Sequence, residues 1–297
     1  LSSPTVDLRD RVSAPIVDRV NEPALTHRIP SAHPGELSLE EHGSPWPGRA
    51  PILFLPALGV PLAYYRPLLT AWAARDRHVF GLESRGMPDS DARSLRRAPF
   101  GYSVLVRHDL PAVAAALPAE GRPIVVGHSL GGQLAILSAA AGLIDPLAIA
   151  TIATGSSTAD LAAPLLARAR RWSEIATVRS VSRLLGYWPG HRLGFGGRQP
   201  IALMRDWAHE ARTGRYRLHG DETDYEAALG HIPAPIALVA IDGDPLITPR
   251  SVEHLRRRLP ASSVALSVRA GARDHFLWAR REPGRVIDAV ESWTATV

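Results

Sequence analysis

Two kinds of hydrophobic pattern alternate along this chain. Short, continuously apolar runs rich in β-branched residues fall at residues 51–55, 78–82, 123–126, 147–154, 235–241 and 263–268. Between them lie longer stretches, 62–74, 103–117, 133–140, 250–259 and 283–294, whose apolar residues recur at helical spacing. Strands apolar on both faces, separated by helices, predict an α/β architecture: a mostly parallel central sheet covered on both sides. Two more polar strand candidates, 24–29 and 36–40, precede this series and are followed by turn signals at Pro34-Gly35 and at 43–48. From 157 to about 231 the pattern changes to helical periodicity broken by Gly and Pro, without a clear strand. The expected organisation is an N-terminal extension at 1–24, a core in two parts, 25–156 and 233–297, and an inserted helical cap at 157–232.

The run at 123–126 leads into Gly127-His128-Ser129-Leu130-Gly131, and a helix-forming run follows. This is a G-x-S-x-G sequence in strand–turn–helix context, the setting in which it acts as a nucleophile elbow. A serine on so sharp a turn is held in a strained backbone conformation, and side chains two residues either side would collide across it. The turn would present Ser129 Oγ above the sheet and aim backbone N–H groups at developing negative charge. A serine hydroxyl also needs a base to take its proton and a third group to orient that base. Past the strand at 235–241 the chain reads Asp242-Gly243-Asp244-Pro245, and past the strand at 263–268 it reads Asp274-His275-Phe276. Strand C-terminal ends are where open parallel sheets gather their ligands.

Asp244 is the expected acid, because Gly243 supplies a turn that could direct it back toward the histidine; Asp242 is the alternative. His275 is the expected base, since no other histidine follows the last strand. His128, inside the elbow, is expected to be structural or to line a pocket. The expected oxyanion hole combines the N–H of Leu130 with one from the loop Pro56-Ala57-Leu58-Gly59, Leu58 first and Ala57 behind it. In the cap, Tyr187, Trp188, Phe195 and Trp207 are candidates to roof a substrate pocket or to pack cap on body.

Composition narrows the chemistry. The 297 residues include no cysteine and no lysine, so all 34 basic residues are arginine. Thiolate nucleophiles, lysine Schiff bases and a Walker A lysine are thereby excluded. The net charge is +5, but the arginines are spread along the chain with only short clusters, and no nucleic-acid partner is expected. No apolar run reaches membrane-spanning length, and Leu1 to Asp10 lack a basic-then-apolar leader, so a cytoplasmic location without an integral membrane segment is expected.

Several of these segments together resemble a known group. The loop Pro56-Ala57-Leu58-Gly59-Val60-Pro61, the tripeptide Tyr65-Arg66-Pro67, the stretch from Glu83 through Arg85-Gly86 to Ser90, and the cap segment Leu185-Gly186-Tyr187-Trp188-Pro189-Gly190-His191-Arg192-Leu193-Gly194 are similar to those of bacterial α/β hydrolases with a serine-aminopeptidase-like domain. The chain departs from that pattern where Pro56-Ala57 replaces a His-Gly pair, where Glu83-Ser84 replaces an acidic–aromatic pair, and where Pro88 replaces a glycine. Over roughly residues 25 to 295 the resemblance implies the α/β-hydrolase fold and a Ser-Asp-His site with no metal or organic cofactor. The expected function is a serine hydrolase acting on an ester, thioester or amide of a small, partly apolar acyl substrate. An acyltransferase or cyclase using the same residues is the alternative, and a non-catalytic ligand-binding protein is third. A carboxylate nucleophile, as in epoxide hydrolases and haloalkane dehalogenases, is disfavoured because Ser129 stands at that position.

Overall fold

The computed structural model describes residues 25–87, 100–118, 121–162, 164–270 and 274–297. The expected N-terminal extension, Pro88 and Ser90 lie outside these residues. In chain order the strands are β1 (Leu25–Pro30), β2 (Glu36–His42), β3 (Ile52–Leu55), β4 (Val79–Glu83), β5 (Ile124–His128), β6 (Ala148–Ile152), β7 (Tyr187–Pro189), β8 (Arg198–Pro200), β9 (Ile236–Ile241) and β10 (Val264–Val268). Eight of them form one sheet in the order β1-β2-β4-β3-β5-β6-β9-β10. The pairs β1–β2 and β2–β4 are antiparallel. From β4 across to β10 every pairing is parallel.

The apolar runs become strands because both faces of the sheet are covered. Along β3 and β5, alternate side chains enter opposite cores. Leu53, Leu55 and Val125 join the helices on one side, while Ile52, Phe54, Ile124 and Val126 pack with Trp72, Trp278 and Trp293 on the other. The main helices are α1 (Arg66–Ala73), α2 (Leu110–Ala116), α3 (Leu130–Ala140), α4 (Leu165–Leu185), α5 (Ile201–Thr213), α6 (Pro249–Arg256) and α7 (Pro283–Thr294). A π-helical segment, Leu105–Asp109, leads into α2. It carries the buried Asp109, which receives both Nε (2.7 Å) and Nη2 (2.6 Å) of the equally buried Arg85. None of the described helices is long and apolar enough to cross a membrane.

Among its described residues, the segment between β6 and β9 adds no strand to the main sheet, but it is not purely helical as expected. β7 and β8 pair there as a two-stranded antiparallel ribbon. Three-residue strands are too short for periodicity to reveal. The ribbon's loop is closed by the Trp188 indole, which donates to the Phe195 carbonyl at 2.7 Å. Gly190 is required beneath that bond, since a Cβ there would lie 1.8 Å from the same carbonyl.

Candidate active site

The site begins at the C-terminal end of β5. Ser129 joins β5 to α3 with φ 51° and ψ −112°, a left-handed conformation unusual for a side-chain-bearing residue and costing about 1–3 kcal/mol. The flanking glycines make it possible. A Cβ on Gly127 would meet the Gly132 nitrogen at 2.3 Å, and one on Gly131 would meet the Leu55 carbonyl at 2.2 Å. The turn is pinned from β6 and the loop beyond it, by Ser129 N–H donating to the Ile152 carbonyl and Thr154 Oγ1 donating to the Ser129 carbonyl.

The other two groups come from the loops after β9 and β10. Gly243, at φ 79°, turns the chain so that Asp244 faces back across the sheet edge. Asp244 Oδ1 accepts from the N–H groups of Leu246 (2.7 Å) and Ile247 (3.1 Å). Its Oδ2 lies 2.7 Å from His275 Nδ1, and both side chains are buried. Asp242 goes elsewhere: it accepts from Ser267 Oγ, lies near Arg269, and is nearly half exposed. The histidine therefore pairs with Asp244. Gly271, Ala272 and Arg273 of the loop before it lie outside the described residues.

His128 stands behind His275 and does not line the cavity. It is fully buried, with its ring centroid 4.9 Å from that of His275. Burial, reinforced by the neighbouring His275, holds the His128 pKa well below the usual histidine value, so it is neutral. Tyr65 Oη accepts from Ala57 N–H (3.2 Å) and lies 2.7 Å from His128 Nδ1, to which its proton is free to donate. One phenol thus ties the loop after β3 to the elbow. Trp278, whose ring centroid lies 5.1 Å from that of His128, also fixes His275, its indole donating to the His275 carbonyl at 2.9 Å.

Ser129 and His275 open onto one cavity of about 660 Å³, which Ala57, Leu58 and Leu130 also line. Its apolar wall includes Trp188, Phe195, Trp207, Ile247 and Phe276. Tyr187 is not in that wall, a correction to the expected pocket. Successive strand residues face opposite ways, so Trp188 turning inward sends Tyr187 outward, where the Arg198 guanidinium sits 4.6 Å from its ring centroid. A polar wall comes from α4, with Arg170, Arg171, Glu174 and Thr177. Sequence reading missed this wall, although the spacing of those four residues places them along one side of a helix. Tyr65 and Trp278 were also missed, being apolar-pattern residues whose polar atoms matter only through tertiary contacts. Among the described residues, no group of three or more His, Asp or Glu side chains is arranged to hold a metal.

The sequence model of the alpha/beta hydrolase family matches residues 42–289. No curated protein matches the chain by sequence. Among solved structures, mouse alpha/beta hydrolase domain-containing protein 10 is similar, with a TM-score of 0.63 at 17% identity, covering 92% of this chain and 99% of that one. The thioesterase domain from the curacin biosynthetic pathway superposes with a TM-score of 0.60 at 15% identity, over 91% of this chain and 100% of that one. E-2-(acetamidomethylene)succinate hydrolase gives 0.58 at 20% identity, over 92% and 100%. At these identities the likeness is one of fold.

Proposed function

This chain belongs to the alpha/beta hydrolase family, and from that premise we propose that it is a serine hydrolase cleaving an ester, thioester or amide of a small, partly apolar substrate through an acyl-enzyme on Ser129. One observation carries the reading: a strained serine at a strand–helix turn shares a cavity with a histidine whose Nδ1 is held 2.7 Å from a buried carboxylate. In this mechanism Asp244 fixes the His275 tautomer so that Nε2 is the basic atom. Nε2 takes the Ser129 proton as Oγ attacks the carbonyl carbon, and then returns it to the leaving alcohol, thiol or amine. The second half repeats the sequence with water as nucleophile and releases the acid.

The oxyanion would be held by the N–H of Leu130, at the start of α3, and that of Leu58. Leu58 is favoured over Ala57 because the Ala57 N–H is already committed to Tyr65. The segment at 157–232 acts as a cap, with Trp188, Phe195 and Trp207 enclosing the apolar part of the substrate. A fluorophosphonate probe tests the reading. The expected result is one adduct, on Ser129, whose formation is lost in His275→Ala; no adduct on the folded protein would refute it. Transfer to an alcohol or amine instead of water is the alternative fate of the acyl group. An excess of added acceptor during ester turnover decides it, giving a new ester or amide if transfer prevails and free acid if hydrolysis does.

A further inference from the structure

We propose that the cavity's polar wall is an oxyanion-binding subsite built on Arg171, and that the acyl substrate carries a carboxylate or phosphate group besides its scissile bond. That the anion is part of a substrate rests on the hydrolase reading; its binding does not. Among the described residues, the titratable ones lining the cavity are Arg170, Arg171, Glu174 and His275. With His275 paired to Asp244, the α4 wall presents two guanidinium groups against one carboxylate, a net positive charge beside an apolar chamber.

Arg171 is held as a fixed fork. Its Nε donates to the Ser157 carbonyl at 3.4 Å and its Nη1 to Glu174 Oε2 at 3.3 Å, while the guanidinium lies 5.4 Å from the centroid of the Trp207 ring. The anchor is itself fixed, because the Ser157 N–H donates to the buried Glu210 of α5. Neither Arg171 bond uses Nη2. Its side chain is 24% exposed, so the charge is partly desolvated and already oriented, conditions under which an arginine binds a planar carboxylate or a phosphate most strongly. Glu174 also takes Arg170 Nε at 2.9 Å. It is therefore the counter-ion of both arginines and the group an incoming anion must compete with. Glu210 faces Ser156 and Ser157 instead of the cavity, its carboxylate taken up by the Ser156 hydroxyl and the Ser157 N–H.

The test measures binding apart from turnover. Titration calorimetry on the full chain carrying Ser129→Ala compares monomethyl adipate, pentyl phosphate and neutral methyl hexanoate. The anions are expected to bind about tenfold tighter or better, and the tighter of the two names the group. Adding Arg171→Gln should collapse that ratio toward one. Adding Glu174→Gln should raise it, because the competing carboxylate is gone; this opposite sign keeps the test decisive if Arg171→Gln fails to fold. Equal affinities for anion and neutral ester, or a ratio that Glu174→Gln lowers or leaves unchanged, would overturn the subsite. Wild-type turnover of p-nitrophenyl hexanoate reports separately on the hydrolase reading, so either idea can fail while the other stands.

Discussion

Helices α3 and α4 both supply wall to the same cavity, yet they are built on opposite terms. Every residue of α3 from Leu130 to Ala139 is buried, so its sequence is apolar all round and its place is set by packing against β3, β5 and β6. In α4, a much longer helix, only Ile175, Val178 and Ser182 are buried. Its other positions carry Arg168, Arg170, Arg171, Arg179 and Arg183, and Leu165, Leu166 and Leu184 stand largely exposed. The first helix holds Ser129 where the sheet dictates. The second is tied down by a narrow stripe and turns Arg170, Arg171, Glu174 and Thr177 to the cavity. In the proposed reading, chemistry belongs to the packed half of the site, and selectivity to the loosely packed half.

The widest expected contrast is between groups in the packed half. Asp244→Asn should lower kcat for an activated ester by about 10⁴-fold, the scale seen when a triad carboxylate is lost, while Asp242→Asn leaves it little changed. The reverse outcome in the same assay would reassign the acid. Stability should divide along the same line. Ile136→Ala in α3 should cost about 2–5 kcal/mol in urea unfolding, and Leu184→Ala in α4 within about 0.5 kcal/mol; similar losses from both would erase the distinction between the helices.

A smaller effect is expected from Tyr65→Phe, which strips the Ala57 N–H and His128 Nδ1 of their shared partner. Unpaired buried groups cost about 1–3 kcal/mol. If the transition state bears the lower end of that cost, kcat falls about fivefold while KM is unmoved. A rise in KM alone would make Tyr65 a packing residue.

The smallest contrast is in pH dependence, and its two parts have opposite signs. Glu41 on β2 is raised by burial, but its bonds to His27 and His78 win and bring its pKa down from 4.5 to about 2. Its stabilisation is complete above the unfolded value of 4.5 and is lost as pH falls toward 2. Asp206 on α5 goes the other way: burial outweighs the bonds from the Tyr102 and His219 N–H groups and lifts it from 3.8 to about 6. The folded state holds that proton longer, so stability declines as pH rises from 3.8 to about 6. Urea midpoints across pH should show the acid-side slope shrinking in Glu41→Gln and the higher slope shrinking in Asp206→Asn. A midpoint profile unaltered by either substitution would contradict both assignments.

What the sequence made legible follows the same division. Strands that are apolar on both faces announce themselves, and the final helix, Pro283–Thr294, falls where its periodicity and Pro283 place it. Gly127, Ser129 and Gly131 are readable because the backbone demands them. The Gly243 turn, also readable in the sequence, brings Asp244 Oδ2 to 2.7 Å from His275 Nδ1. Other features were out of reach because they exist only between distant segments. Tyr65 reads as a core aromatic until His128 and Ala57 arrive at its hydroxyl. Tyr187 and Trp188 look alike until a short ribbon turns them to opposite sides. Arg171 reads as a solvated helix charge until Trp207 and the Ser157 carbonyl fix it.

Mass analysis of protein quenched in acid during ester turnover measures directly whether Ser129 carries the acyl group. The expected result is an acyl adduct confined to the peptide containing Ser129, with neither adduct nor turnover in Ser129→Ala. An adduct on any other residue, or turnover persisting in Ser129→Ala, would contradict it.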